Sequence, residues 1–129
     1  MDYQKKKKEQ FKKEFSQRIS RAVVQTIKFV DSLPTGTVTK TVKDQLIRSM
    51  TSIGANYFEA QAGSSKKDFM NFFSYSLKSA NEVKFWLSIV IDCGLGDTQE
   101  AKQILIEVNE IANIFASSIL TMKGKKKAI

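Results

Sequence analysis

The sequence has no histidine, one cysteine, one proline and only six glycines in 129 residues. Each shortage excludes something. Without histidine the chain lacks the commonest general base and the commonest metal ligand. Cys93 stands alone, so no intrachain disulfide can form, which fits a reducing compartment. So little proline and glycine cannot supply the frequent turns of an all-β fold, and favours a few long elements. No apolar run approaches the ~20 residues of a membrane span. Lys5 to Lys8 are followed by Phe11 and Phe15 with Lys12, Lys13 and Glu14 between them, which is no apolar signal segment. The expectation is a cytoplasmic protein without membrane association.

What is present is apolar material for one core, 42% of residues, and a formal net charge of +8. The charge is unevenly placed. Residues 1–21 hold eight Lys/Arg against three acids, a balance of +5, and residues 123–129 hold four lysines and no acid, a balance of +4. Residues 22–122 hold nine Lys/Arg against ten acids, leaving −1. The excess therefore sits at the two ends of the chain.

Four helical stripes can be read between those ends. Phe11, Phe15, Ile19, Val23, Ile27 and Val30 recur at steps of three and four, until Pro34 and Gly36 stop the first helix. Thr41-Val42-Lys43-Asp44 fits a capping box for the second, with Val42, Leu46, Met50, Ile53, Tyr57 and Ala60 as its stripe and Gly63 as its end. Ser65-Lys66-Lys67-Asp68 opens the third, which runs through Phe69, Phe73, Leu77, Ala80, Val83, Leu87 and Val90 to Gly94. Asp97 to Glu100 cap the fourth, carrying Ala101, Leu105, Val108, Ala112, Phe115 and Ile119. Short connections favour antiparallel neighbours, so the fold class is all-α, an up-down-up-down four-helix bundle. The organisation is a basic N-terminal tail over 1–10, the bundle over 11–122 and a basic C-terminal tail over 123–129. Alternation brings both tails to one pole.

Some stripes are wider than one bundle needs. Seven of the nine residues from Val83 to Ile91 are apolar, and the fourth helix adds Ile104, Ile106, Ile111, Ile114 and Leu120. Burial against further copies of the chain is the expected outcome, giving a homo-oligomer. The alternative is a single bundle with a broad core.

Chemistry-bearing patterns are few. No phosphate-binding glycine loop is present, and Cys93, at a helix end among apolar neighbours, is expected to be inert packing. Glu59, Asp68, Glu82, Glu107 and Glu110 do not form the Glu-x-x-His pairs of di-iron bundles. The expectation is a protein that is not an enzyme and uses no cofactor or metal. The second helix carries an unusual seam, in which Ser49, Ser52, Ala55, Asn56 and Glu59 share a side and Gly54 sits mid-helix at a cost of about 1 kcal/mol. Asn56 and Glu59 could bond to another helix, to Arg48 of a neighbouring copy, or to Ser79 or Asn81. Such a seam fixes register or subunit geometry; a ligand site is the other possibility.

The lysine clusters are either solubilising tails or a nucleic-acid surface. Their convergence on one pole, continued by Arg18 and Arg21, favours nucleic acid. The candidate contacts are Lys5, Lys6, Lys7, Lys8, Lys12, Lys13, Arg18, Arg21, Lys123, Lys125, Lys126 and Lys127. Lysine is a mobile point charge, and Phe11 and Phe15 are assigned to the core. Binding should thus address phosphates with little sequence preference and strong salt dependence.

Gln45-Leu46-Ile47-Arg48-Ser49, Ser52 to Tyr57 with Glu59-Ala60, Ser65 to Phe69, and Glu82 with Trp86-Leu87 together resemble a bacterial family. It is that of the four-helix-bundle proteins encoded in intervening sequences of 23S ribosomal RNA genes, and the likeness spans about residues 11–122. The resemblance implies a ring-shaped homopentamer with basic surface and a role on RNA more than DNA, and brings no catalytic residues. It marks Arg48, Ser52, Asn56, Glu59, Glu82 and Trp86 as structural or interface residues. Val83 to Leu87, Gln103 to Val108 and the basic C-terminus are also similar to the accessory variability determinant of diversity-generating retroelements. That pentameric barrel binds a reverse transcriptase and its template RNA, which makes a reverse transcriptase the alternative partner.

Overall fold

The computed structural model describes residues 2–63 and 65–124, all in helices or their short connections. The helices are α1 (Asp2–Asp31), α2 (Thr37–Ala62), α3 (Lys66–Asp92) and α4 (Thr98–Met122). Each neighbours the next, and α1 also packs on α4. Among the described residues the diagonal helices do not approach at the backbone, although the Tyr57 ring of α2 reaches Phe115 of α4 at a centroid distance of 6.1 Å. That is the adjacency of an antiparallel four-helix bundle.

Local chemistry explains most of the boundaries. The Ser65 side chain accepts a hydrogen bond from the Asp68 backbone N–H at 3.0 Å. Asp97 likewise accepts from the N–H groups of Gln99 and Glu100, at 3.0 and 3.1 Å. Both caps satisfy orphan donors of the first turn. The start of α2 departs from expectation. Gly36 is its N-cap, without a side-chain bond, and the Lys40 N–H already reaches the Gly36 carbonyl at 2.8 Å. Thr41 and Asp44 therefore lie inside the helix, where Asp44 pairs with Lys40 at 3.0 Å. At the first end, α1 reaches back to Asp2, so the segment set apart as a basic tail is helical.

One aromatic ring from each helix meets at one pole. Phe15 lies 5.3 Å from both Tyr57 and Phe115, and Phe73 lies 5.0 Å from Phe115, centroid to centroid. Most of these contacts are edge-to-face, the arrangement the ring quadrupoles favour. The rings come from the middle of α1, where it enters the bundle, the later part of α2, the first part of α3 and the later part of α4, which requires the helices to alternate in direction. The opposite pole closes where Gly96 lets the α3–α4 turn lie on Leu33. Its φ is +64°, and a Cβ there would stand 2.5 Å from Leu33 Cδ2, so two separate constraints call for glycine.

The stripes read for α2, α3 and α4 face the core, joined by Ser76, Ser79, Ile104 and Ile111. That of α1 is out of phase. The buried residues are Phe15, Ile19, Ala22, Thr26, Phe29 and Val30, while Phe11 is 54% exposed and Ile27 41% exposed. Stepping by four at every turn drifts about 40° per step from a 3.6-residue helix, so a stripe drawn from Phe11 to Ile27 rotates out of the core. Thr26 takes the inward place because its hydroxyl donates to the Ala22 carbonyl at 2.8 Å.

α4 is also long and apolar enough, by length and composition alone, to cross a membrane. Core helices share that property, and Ala101, Ile104, Val108, Ile111, Ala112, Phe115 and Ile119 of α4 are buried within the bundle.

Candidate nucleic-acid interface

The first thirteen described residues of α1, Asp2 to Glu14, are all exposed, and Phe15 is the first to enter the core. At 1.5 Å per residue this amounts to about 20 Å of helix without buried side chains. It carries six lysines against Asp2, Glu9 and Glu14. Consecutive residues turn by about 100°, so Lys5 to Lys8 point all round the axis, while Lys5, Lys8 and Lys12 fall on one side. Among the described residues no carboxylate lies within ion-pair distance of Lys5, Lys6, Lys7, Lys8, Lys12 or Lys13. Lys123, the C-cap of α4, is exposed at the same pole. Lys125, Lys126 and Lys127 lie outside the described residues.

Arg18 does not belong with them. Its Nε donates to Glu107 Oε2 at 2.6 Å and its Nη2 to Glu107 Oε1 at 2.8 Å, with a further bond to Glu110. The fork is satisfied by two α4 carboxylates and has little left for a phosphate. The hydrogen bond from Arg18 holds the Glu107 carboxyl below the usual carboxylate range against the opposing effect of burial, with Arg21 adding to the pull. Arg21 itself stays exposed.

Beside the aromatic knot lies an open cavity of about 590 Å³, lined by all four helices. Its lining includes Lys8, Phe11, Lys12 and Phe15 of α1, Tyr57 and Gln61 of α2, Phe69 and Phe73 of α3, and Asn113, Ser118 and Met122 of α4. Phe11 stacks on Phe15 at 5.9 Å and 13°, leaving much of its ring in the open. The Tyr57 hydroxyl makes only long bonds, accepting from Ser16 at 3.4 Å and donating to the Lys12 carbonyl at 3.5 Å. Burial pushes its pKa up, opposed by the Ser16 bond. Gln61 Oε1 is buried without a hydrogen-bond partner. The cavity was missed in the sequence because Phe11 was assigned to the core. An aromatic among lysines one turn before the first buried residue was the available signal.

Within one copy the polar seam of α2 is satisfied inside its own helix. Asn56 Nδ2 donates to the Ser52 carbonyl at 2.9 Å, and the Ser52 hydroxyl to the Arg48 carbonyl at 2.8 Å, both within α2. Arg48 and Glu59 are exposed, and among the described residues Asn56 and Glu59 make no bond to Ser79 or Asn81. The cross-helix bond is one that was not foreseen: the buried Ser76 hydroxyl of α3 donates to the Ile53 carbonyl of α2 at 2.9 Å. Glu82 and Trp86 meet Gln45 in a groove of about 650 Å³ between α2 and α3. Phe85, 55% exposed, packs edge-on against Trp86 at 4.9 Å. Among the described residues no group of three or more acidic or cysteine side chains is placed to hold a metal ion. Cys93 is exposed at the α3 C-cap, not packed as expected.

The profile of the 23S rRNA-intervening sequence protein family matches residues 7–117. A crystal structure of a protein of unknown function from the S23 ribosomal protein family of Bacteroides thetaiotaomicron superposes with a TM-score of 0.69. It is 31% identical, and the match covers 84% of this chain and 97% of the other. No curated protein matches. The residues that carried the resemblance thus lie on the fold that the family shares, and the chain belongs to the 23S rRNA-intervening sequence protein family.

Proposed function

We propose that this protein is a non-catalytic, homo-oligomeric RNA-binding bundle whose contact surface is the lysine-bearing start of α1. The observation that carries the reading is that exposed stretch of helix, with six lysines that pair with no carboxylate among the described residues and with Lys123 exposed at the same pole. A helix that buries nothing is not explained by the core, whereas a cationic rod matches the regular charge spacing of a phosphate backbone. Family membership agrees with an RNA setting. Lysines without bidentate geometry address charge more than sequence.

Self-association has separate support. Val38, Ile47 and Phe58 on α2, Tyr75 and Phe85 on α3, and Ile106 and Leu120 on α4 are large apolar side chains left exposed by a single copy. Covering them with further copies removes that surface from water and multiplies the cationic helices on one particle. The ring-shaped homopentamer implied by the family resemblance is the assembly we propose.

The test is a fluorescently labelled RNA titrated at about 50 mM and about 200 mM salt. With six phosphates of a single strand neutralised, affinity should fall by about three hundredfold between them. Removing residues 1–10 should abolish most binding, whereas Arg18→Gln should leave it intact. Absence of binding at low salt, or binding unaffected by the truncation, would refute the reading. Light scattering should give a particle well above the 14.6 kDa of one chain.

A further inference from the structure

The cavity at the basic pole combines features that an RNA-binding helix alone does not require. Its walls join aromatic rings of α1, α2 and α3 and the aliphatic Ile114 to a polar α4 side of Asn113, Ser118 and Thr121. Its lining includes Lys8 and Lys12, and its one buried unpaired atom among the described residues, Gln61 Oε1, is a hydrogen-bond acceptor. A buried acceptor without a partner costs free energy that a ligand with an N–H donor recovers. A fatty acyl chain would fill the apolar walls but offers no donor to Gln61. A bare phosphate would satisfy the lysines but not the rings. The chemistry that meets all three is a flat π-system with a polar N–H edge, attached to an anion.

We infer that this cavity receives an unstacked nucleobase of single-stranded RNA, with the flanking phosphates held by Lys8 and Lys12 and an N–H of the base edge donating to Gln61 Oε1. The inference rests on the RNA-binding reading and specifies its ligand. Single-stranded RNA is commonly held by bases laid on aromatic side chains, because every base has a π face. Phe11 is suited to this: it is 54% exposed and stacked on Phe15, so part of its ring is open to a base. At about 590 Å³ the space exceeds one base and accommodates the attached ribose. Lys8 and Lys12 stand one turn apart on α1, where both can reach the strand that carries the base.

The test compares two labelled strands of equal length and charge, an oligoadenylate and an abasic ribose-phosphate oligomer, at one salt concentration. The wild-type protein should bind the oligoadenylate about five- to a hundredfold more tightly, the range that stacking of one base supports. Phe11→Ala removes an exposed ring and should fold normally by circular dichroism. Gln61→Met removes the unpaired acceptor at constant size and should not lower stability. Both should shrink the preference for the base-bearing strand while leaving abasic binding unchanged, whereas Lys8→Gln should weaken both strands alike. Equal wild-type affinity for the two strands overturns the cavity assignment and leaves the RNA reading standing. A preference that survives Phe11→Ala and Gln61→Met places the base elsewhere and also overturns it. Failure of both strands to bind removes the RNA reading itself.

Discussion

Gly54 is buried in the middle of α2 against α1, and its replacement by alanine tests how closely those helices approach. A methyl group built there would lie 3.6 Å from Ile19 Cγ2 and 3.8 Å from Val23 Cγ2, ordinary van der Waals distances. Alanine is favoured over glycine in a helix interior by about 1 kcal/mol, and the buried methyl adds up to about 0.8 kcal/mol. Gly54→Ala should therefore stabilise the protein by about 1–2 kcal/mol. With an unfolding entropy of about 2.1 cal/mol/K per residue over 129 residues, the melting temperature should rise by about 4–7 °C. Gly54→Leu should do the opposite, losing about 1–3 kcal/mol, because Ile19 and Val23 occupy the space its branch needs. Urea and thermal unfolding at one fixed protein concentration measure both, the concentration being held because association shifts the midpoint. An alanine variant less stable than wild type would refute the reasoning, showing that α1 lies against the α2 backbone and that the glycine is a packing requirement.

Three further outcomes follow from contacts described above. Arg18→Gln should cost about 1 kcal/mol near neutral pH, since the pair is partly exposed. The depressed Glu107 carboxyl contributes stability above the ordinary carboxylate pKa that is lost as pH falls through its folded value, so unfolding followed from about pH 7 to about pH 3 should be flatter in the variant. Leu46→Ala, at a fully buried position, should lose about 2–5 kcal/mol in urea unfolding, and a loss below about 1 kcal/mol would contradict its place in the core. Cys93 should react with a maleimide in the native protein at the rate of an unfolded thiol, and protection until unfolding would show that another copy covers it.

The architecture was legible because three helices carry unambiguous stripes and two carry side-chain caps. Ser65 and Asp97 act as the sequence suggests, and the single proline lies in the α1–α2 connection. The phase of α1 was not legible, since its inward face includes Ala22 and a self-satisfied Thr26 and its outward face includes Phe11 and Ile27. Hydrophobicity alone ranks those four residues the wrong way round. The same inversion concealed the cavity. Arg18 illustrates a different difficulty: a cation one or two turns from a lysine cluster looks like part of it until the fold brings Glu107 and Glu110, from the far end of the chain, to within bonding distance. Within one copy the polar groups of the α2 seam bond back to their own preceding turn, as small polar side chains in helices can, and this leaves no trace in sequence spacing.

The aromatic knot also bears on the order in which the molecule assembles. Its rings sit at positions 15, 57, 73 and 115, so it closes only after segments a hundred residues apart have met. The α2–α3 and α3–α4 hairpins are local and more extensively packed than α1, which touches its neighbours over a shorter span. The α1–α2 connection is as short as that between α3 and α4, so it is the weaker packing of α1 that makes its release the least costly opening of the native state and its docking the expected late event in folding. Amide protons of α1 should exchange ahead of those in α3, with the exchange front moving inward from Asp2 toward Phe15.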